Sequence, residues 1–156
     1  MDFSSKIILI SGPTASGKTS YAIKLAKKIN GEIINADSMQ VYKQLNILTA
    51  RPTKKEQRKI KHHLYGIASV NTNFSTGYWL KLAIKKINEI KRKKKIPILV
   101  GGTGLYFNSL VNGLVKIPNI PVKFRNKIRL MQKKDGQKKF FKKLLKIDPM
   151  VRNKIN

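Results

Sequence analysis

Residues Gly12, Pro13, Thr14, Ala15, Ser16, Gly17, Lys18 and Thr19 match G-x-x-x-x-G-K-[ST] without a gap, and their context narrows the fold more than any other feature of the chain. Ahead of them, residues 6–11 (KIILIS) form the short β-branched run of a strand buried on both faces. Behind them, residues 20–29 place Ala22, Leu25, Ala26 and Ile29 on one helical face and Lys24, Lys27 and Lys28 elsewhere. Strand, glycine loop and helix in that order make a phosphate-binding loop, and such a loop belongs to a parallel α/β sheet. The glycines let the backbone curl until successive N–H groups point at one anion, and the helix N-terminus adds its partial positive charge. Lys18 then reaches the terminal phosphate as a point charge, and the Thr19 hydroxyl is placed to bind Mg²⁺.

A second strand, residues 32–36 (EIINA), follows the helix stop Asn30-Gly31 and runs into Asp37, Ser38, Met39 and Gln40. In an open parallel sheet, ligands bind beyond the carboxyl ends of the strands, so Asp37 should face the same crevice as the phosphate loop. A carboxylate there can hold Mg²⁺ or take a proton from a nucleophile. The same residue also suits a helix N-cap, and spacing alone does not choose. The strand at residues 96–100 (IPILV) ends in Gly101-Gly102-Thr103-Gly104, with no acid. Phosphate-loop ATPases use a strand-end acid to help hold Mg²⁺, so the pattern supplies a cradle for diphosphate without the usual hydrolytic partner.

The chain has 156 residues, the size of one domain. Thirty-four Lys+Arg against seven Asp+Glu give a net charge of +27, which points to a polyanionic partner. Twenty-eight of those cations are Lys, beside 20 Ile and 12 Asn, so part of the charge reflects A/T-rich coding. No Cys is present, which excludes disulfides, thiolate zinc sites and Cys nucleophiles. The apolar run at residues 7–10 is too short for a signal segment or a membrane span, so the chain is expected in the cytoplasm, away from membranes.

Residues 1–115 read as the α/β core and 116–156 as a basic helical segment. The latter carries 14 Lys+Arg against two Asp, a net +12 in 41 residues. Residues 76–95 have Trp79, Leu80, Ala83, Ile84, Ile87 and Ile90 at helical spacing, ahead of Lys91-Arg92-Lys93-Lys94-Lys95. That basic run favours the helix macrodipole and reads equally as a solvated end. Residues 125–133 and 137–147 read as two helices with narrow apolar stripes, and their basic outer faces suit either plain solvation or the phosphates of an RNA. His62 and His63 read as structural, since the pair lacks a third ligand at metal spacing. Three parallel strands are expected, in a sheet that is incomplete.

Together the segments GPTASGKT (12–19), INADSMQVYK (34–43), TARPT (49–53), HHL (62–64) and PILVGGTGLY (97–106) resemble, in the same order, the tRNA dimethylallyltransferases. The resemblance runs from Ile7 to about Ile155. It implies a nucleotide-kinase-like phosphate-loop sheet flanked by helices, continuing into a basic helical lobe. It also implies an activity: the exocyclic amine of the adenosine 3′ of the anticodon attacks dimethylallyl diphosphate, and Mg²⁺-diphosphate leaves. By resemblance, Asp37 is the general base, and Lys18 and Thr19 with Mg²⁺ neutralise the leaving diphosphate. Asp37, Ser38, Met39 and Gln40 hold the flipped-out adenine, and Thr103 and Arg125 contact tRNA. The family pattern departs at Leu48, at Gly66 where Asp is usual, and at Gly77-Tyr78-Trp79. Family members are roughly twice this long, so the chain is expected to be an N-terminal portion or a shortened, monomeric member. Two other readings share some of these features: a small-molecule kinase with the same loop, and a non-catalytic RNA-binding chain resting on charge alone.

Overall fold

The computed structural model describes residues 6–115 and 120–153. Residues 116–119 and 154–156 of the expected basic segment lie outside the described residues. The chain divides into two compact units, Met1–Leu114 and Val115–Asn156.

In the first unit, β1 (Ile8–Ser11), β2 (Gly31–Asn35), β3 (His62–His63) and β4 (Ile96–Gly101) form one parallel sheet in the order β1-β4-β2-β3. Four strands are present rather than the expected three. The extra one, β3, spans two residues and pairs Ile33 with His62 and Ile34 with His63. A two-residue strand carries no alternation for a pattern to reveal, and its partner strand alone marks it. β2 and β4 occupy the middle and are buried at every position.

Side-chain alternation sorts the core into two layers. Ile33, Ile96, Ile98 and Val100 face α1 (Lys18–Lys28) and meet Ala22, Ile23 and Ala26. Ile34 and Leu99 point the other way, towards α3 (Thr76–Arg92) and α4 (Gly104–Asn112), where they join Trp79, Ala83, Ile87, Ile90 and Tyr106. Trp79 is wholly buried, stacks on Tyr106 at 4.1 Å between ring centroids, and donates its indole N–H to the Asn35 carbonyl at 2.9 Å. That bond meets the requirement that a buried indole find an acceptor. Ahead of β3, α2 (Lys54–Lys59) begins on a capping box. Thr53 Oγ1 accepts from Glu56 N at 3.2 Å, and Glu56 Oε2 accepts from Thr53 N at 2.8 Å.

The end of α3 differs from a plain solvated terminus. Lys94 is left-handed (φ 55°), and Lys94 N and Lys95 N donate to the carbonyls of Lys91 and Ile90. This is the Schellman pattern that closes a helix. It turns Lys95 back onto the sheet, where its ammonium meets Glu32 at 2.9 Å. Glu32 is almost fully buried and also accepts from His63 at 2.7 Å. Burial pushes the Glu32 carboxyl up, but the bonds from His63 and Lys95 outweigh it and hold the group below its ordinary value. Burial lowers His63, and the carboxylate only partly offsets that. His63 is therefore a structural histidine that ties the edge strand to the sheet. His62 is one as well, with Nδ1 at 2.7 Å from the Ile60 carbonyl.

The second unit holds α5 (Val122–Ile147) and a 3₁₀ turn (Pro149–Asn153). Gly136 interrupts α5 with φ 73° and ψ 161°, so residues 122–135 and 137–147 are two helical stretches, as their stripes predict. Asp135 pairs with Lys143 across the break, and none of the residues of α5 is buried.

Candidate active site

The carboxyl ends of β1, β2 and β4 open on one cleft of about 270 Å³. The phosphate loop walls one side, from Thr14, Ala15, Ser16 and Gly17 into Lys18 and Thr19 at the first turn of α1. Gly17 caps that helix in the left-handed region (φ 82°), which leaves the first helical N–H groups without a side-chain cap. Free N–H groups at a helix start are what an anion needs. The Lys18 ammonium donates to the Pro13 carbonyl of its own loop. Of the eight loop residues, six line the cleft, all but Gly12 and Pro13.

Asp37 lines the same cleft from the end of β2. Its backbone is held on both sides by one residue, Asn35, which has no exposed surface. Asn35 Oδ1 accepts from Asp37 N at 2.9 Å, and Asn35 Nδ2 donates to Asp37 O at 3.0 Å and to Leu64 O at 3.2 Å. Asp37 Oδ1 accepts from Met39 N at 2.9 Å and so orders the turn that follows. The side chain thus both shapes its loop and faces the cleft. Asp37 leads into no helix, so the N-cap alternative does not apply.

Gly101 explains how β4 comes so near. A Cβ placed there would lie 2.0 Å from the Ala36 carbonyl oxygen and 2.7 Å from Asp37 N, so only glycine lets the two strand ends pass. Thr103, just beyond, joins the two loops. Its hydroxyl accepts from Ser38 N at 2.9 Å and donates to Ser38 Oγ at 3.2 Å. Gln40 lines the cleft and donates from Nε2 to Thr49 O at 2.8 Å, while Met39 is half exposed beside it. Of the residues singled out in the sequence, Lys18, Thr19, Asp37 and Gln40 line the cleft, and Ser38, Met39 and Thr103 lie in the adjoining loops. Arg125 stands exposed on the first turn of α5, in the second unit.

Thr49, Ala50 and Tyr65 are among the cleft residues that carried no assigned role in the sequence. Thr49 and Ala50 lie in the TARPT segment, and Tyr65 follows HHL directly. Proximity to those motifs is the signal that could have found them. Burial, and then the Asp37 charge, push the Tyr65 phenol above its ordinary value and keep it protonated. Among the described residues no group of three or more His, Cys, Asp or Glu is placed to hold a metal. No helix among them is long and apolar enough to cross a membrane.

A model of the IPP transferase family matches residues 40–156. The chain is 73% identical to a Pelagibacter ubique tRNA dimethylallyltransferase over all of its own length and 50% of that protein's. It is 50% identical to a Rickettsia massiliae tRNA dimethylallyltransferase, over 96% of this chain and 41% of the relative. Among solved structures, a full-length tRNA isopentenylpyrophosphate transferase from Bacillus halodurans matches 97% of this chain and 50% of its own, with TM-score 0.70 and 38% identity. A eukaryotic dimethylallyltransferase captured acting on tRNA matches 96% of this chain and 37% of its own, with TM-score 0.81 and 32% identity. The chain thus spans about half or less of the length of these proteins.

Proposed function

The chain belongs to the IPP transferase family, and from that premise we propose that it serves in transfer of a dimethylallyl group from dimethylallyl diphosphate to tRNA. The acceptor is the exocyclic amine of the adenosine 3′ of the anticodon. The observation that carries this reading is that Asp37 and the phosphate loop line one cleft. A C–N bond forms from the amine to the first prenyl carbon as that carbon's bond to diphosphate oxygen breaks. Asp37 takes the amine proton, and the electron pair of the broken bond leaves on the diphosphate. Lys18 and the N–H groups at the start of α1 meet the charge that develops there.

Mg²⁺ fits this donor set. It is usually held by one or two protein groups plus substrate phosphates and keeps several waters, so the Thr19 hydroxyl and the diphosphate suffice without an acidic cluster. Bound Mg²⁺ supplies charge neutralisation on the diphosphate. Ser38, Met39, Gln40 and Thr103 hold the flipped adenine and its neighbours, since a base stacked in an anticodon arm must leave the stack to be reached. Arg125 and the basic face of α5 suit the phosphates of the anticodon stem. The protein works as a monomer in the cytoplasm, where its tRNA substrates are. The names of the relatives favour this reading over a kinase or a non-catalytic RNA binder.

Thermal unfolding with Mg²⁺ and either dimethylallyl diphosphate or ATP tests the proposal, because a ligand bound only to the folded state raises stability by RT ln(1 + [L]/Kd). Stabilisation by dimethylallyl diphosphate that disappears in Lys18→Ala is expected. Stabilisation by ATP alone would overturn the proposal in favour of a kinase.

A further inference from the structure

Tyr65 lines the cleft and carries a polar group that no described residue uses. Its hydroxyl makes no hydrogen bond with any described residue, yet it is not among the sealed, unpartnered groups, which are Arg51 Nε and His62 Nε2. The hydroxyl is thus not sealed inside the protein, and Tyr65 lines the cleft. The ring is fixed in place: it packs beside the α1-side core and meets the His62 ring edge-on at 5.6 Å.

Hydrogen bonding assigns Tyr65 to one end of the cleft. On one side of it, Leu64 O accepts from Asn35, the residue that also holds Asp37. On the other side, Gly66 N donates to Gln40 O at 3.0 Å. Tyr65 thus belongs to the Asp37–Gln40 side of the cleft. An adenine whose exocyclic amine is presented to Asp37 carries two ring acceptors close to that amine, N1 and N7. A carboxylate only accepts and can serve neither, so neighbouring donors have to meet them, and the Tyr65 hydroxyl is one such group.

We propose that Tyr65 is a substrate-contacting residue whose hydroxyl donates to N1 or N7 of the acceptor adenine. This rests on the transfer reading above. It adds a contact to the base itself, supplied by the segment after β3.

The test measures binding of anticodon stem-loop RNAs carrying adenosine, 1-deazaadenosine, 7-deazaadenosine or an abasic site at the acceptor position. The protein is the wild-type chain or Tyr65→Phe, with Mg²⁺ and inorganic diphosphate present. Tyr65→Phe removes only an unpartnered hydroxyl, so its melting temperature should match the wild type. Wild type should lose about threefold to tenfold in affinity when the contacted nitrogen is replaced by carbon. Tyr65→Phe should lose the same factor on adenosine, lose nothing further on that deaza RNA, and match wild type on abasic RNA. Equal deaza penalties in both proteins, with adenosine still preferred over the abasic site, overturn the Tyr65 contact and leave the transfer reading standing. A wild-type chain that does not distinguish adenosine from an abasic site overturns both. A diphosphate affinity lost in Lys18→Ala but kept in Tyr65→Phe separates the phosphate end of the cleft from the base end.

Discussion

Helices α3 and α5 are both basic and both carry an apolar stripe, yet they end in opposite conditions. α3 buries Trp79, Ala83, Ile87 and Ile90 against the sheet, while α5 buries nothing among its 26 residues. In α5, Phe124 and Leu130 remain 57% and 67% exposed. An amphipathic pattern names the face that seeks cover, but the stabilisation comes only when a partner removes that face from water. For α3 the partner is a sheet of the same unit, and polar groups are drawn in with it: the Trp79 indole, the Asn35 amide and the Glu32 carboxylate all find partners. The first unit is thus held by specific packing and paired buried groups. The second presents charge.

The most severe test of that contrast is functional. If the chain acts as proposed, Asp37→Asn should cut prenyl transfer by about a hundredfold to ten-thousandfold, the range expected of a lost general base, with diphosphate binding retained. Lys127→Glu, on the exposed face of α5, should weaken RNA binding alike for all sequences and flatten its salt dependence by about one unit of slope. Equal losses of transfer in the two variants would erase the distinction.

Stability should divide in the same way. Trp79→Ala should cost about 3–5 kcal/mol in urea unfolding, through lost burial and the cavity left behind. Phe124→Ala, on a half-exposed ring, should cost less than about 0.5 kcal/mol.

Smaller effects probe the polar contacts. Glu32→Gln should cost about 2 kcal/mol, below the range for a fully buried pair because Lys95 remains partly exposed. Acid should act on the same network. His62 and His63 are held below 6.5 in the folded state, chiefly by burial, so the unfolded chain takes up their protons first and stability declines as pH falls through that value. Glu32 is held below its ordinary 4.5 on balance, so its contribution is present above that value and is lost as pH falls through the lower folded value. Urea midpoints measured from pH 8 to pH 5 should therefore decrease steadily, and more steeply in Glu32→Gln, where His63 loses the carboxylate that partly offsets its burial. A smaller change than that of Glu32→Gln is expected from Gly136→Ala. It should cost about 1 kcal/mol if the break keeps its positive φ, or else raise helicity in circular dichroism as α5 straightens.

Much of the candidate site was legible in the sequence because it rests on local chemistry. A phosphate loop needs its glycines, lysine and threonine consecutive in the chain, and a strand-end carboxylate needs only to follow an apolar run. Lys18, Thr19 and Asp37 could be named for that reason, and Gln40 only by the resemblance of its segment. The helix pattern of α3 and the break of α5 near Gly136 were legible too, since periodicity and a glycine both act within a few residues.

What depended on the tertiary structure lies between distant segments. β3 is a strand only because β2 offers it a ladder of hydrogen bonds. Lys95 looked like a solvated end until a left-handed turn brought it to Glu32, 63 positions earlier. Asn35 was one polar residue at a strand end, and its hold on both Asp37 and Leu64 exists only where the two loops converge. Tyr65 reached the cleft by the same route. Local geometry is set by neighbours along the chain and can be read from it, whereas a contact between remote segments has no sequence signature of its own and forms only when the sheet brings those segments together.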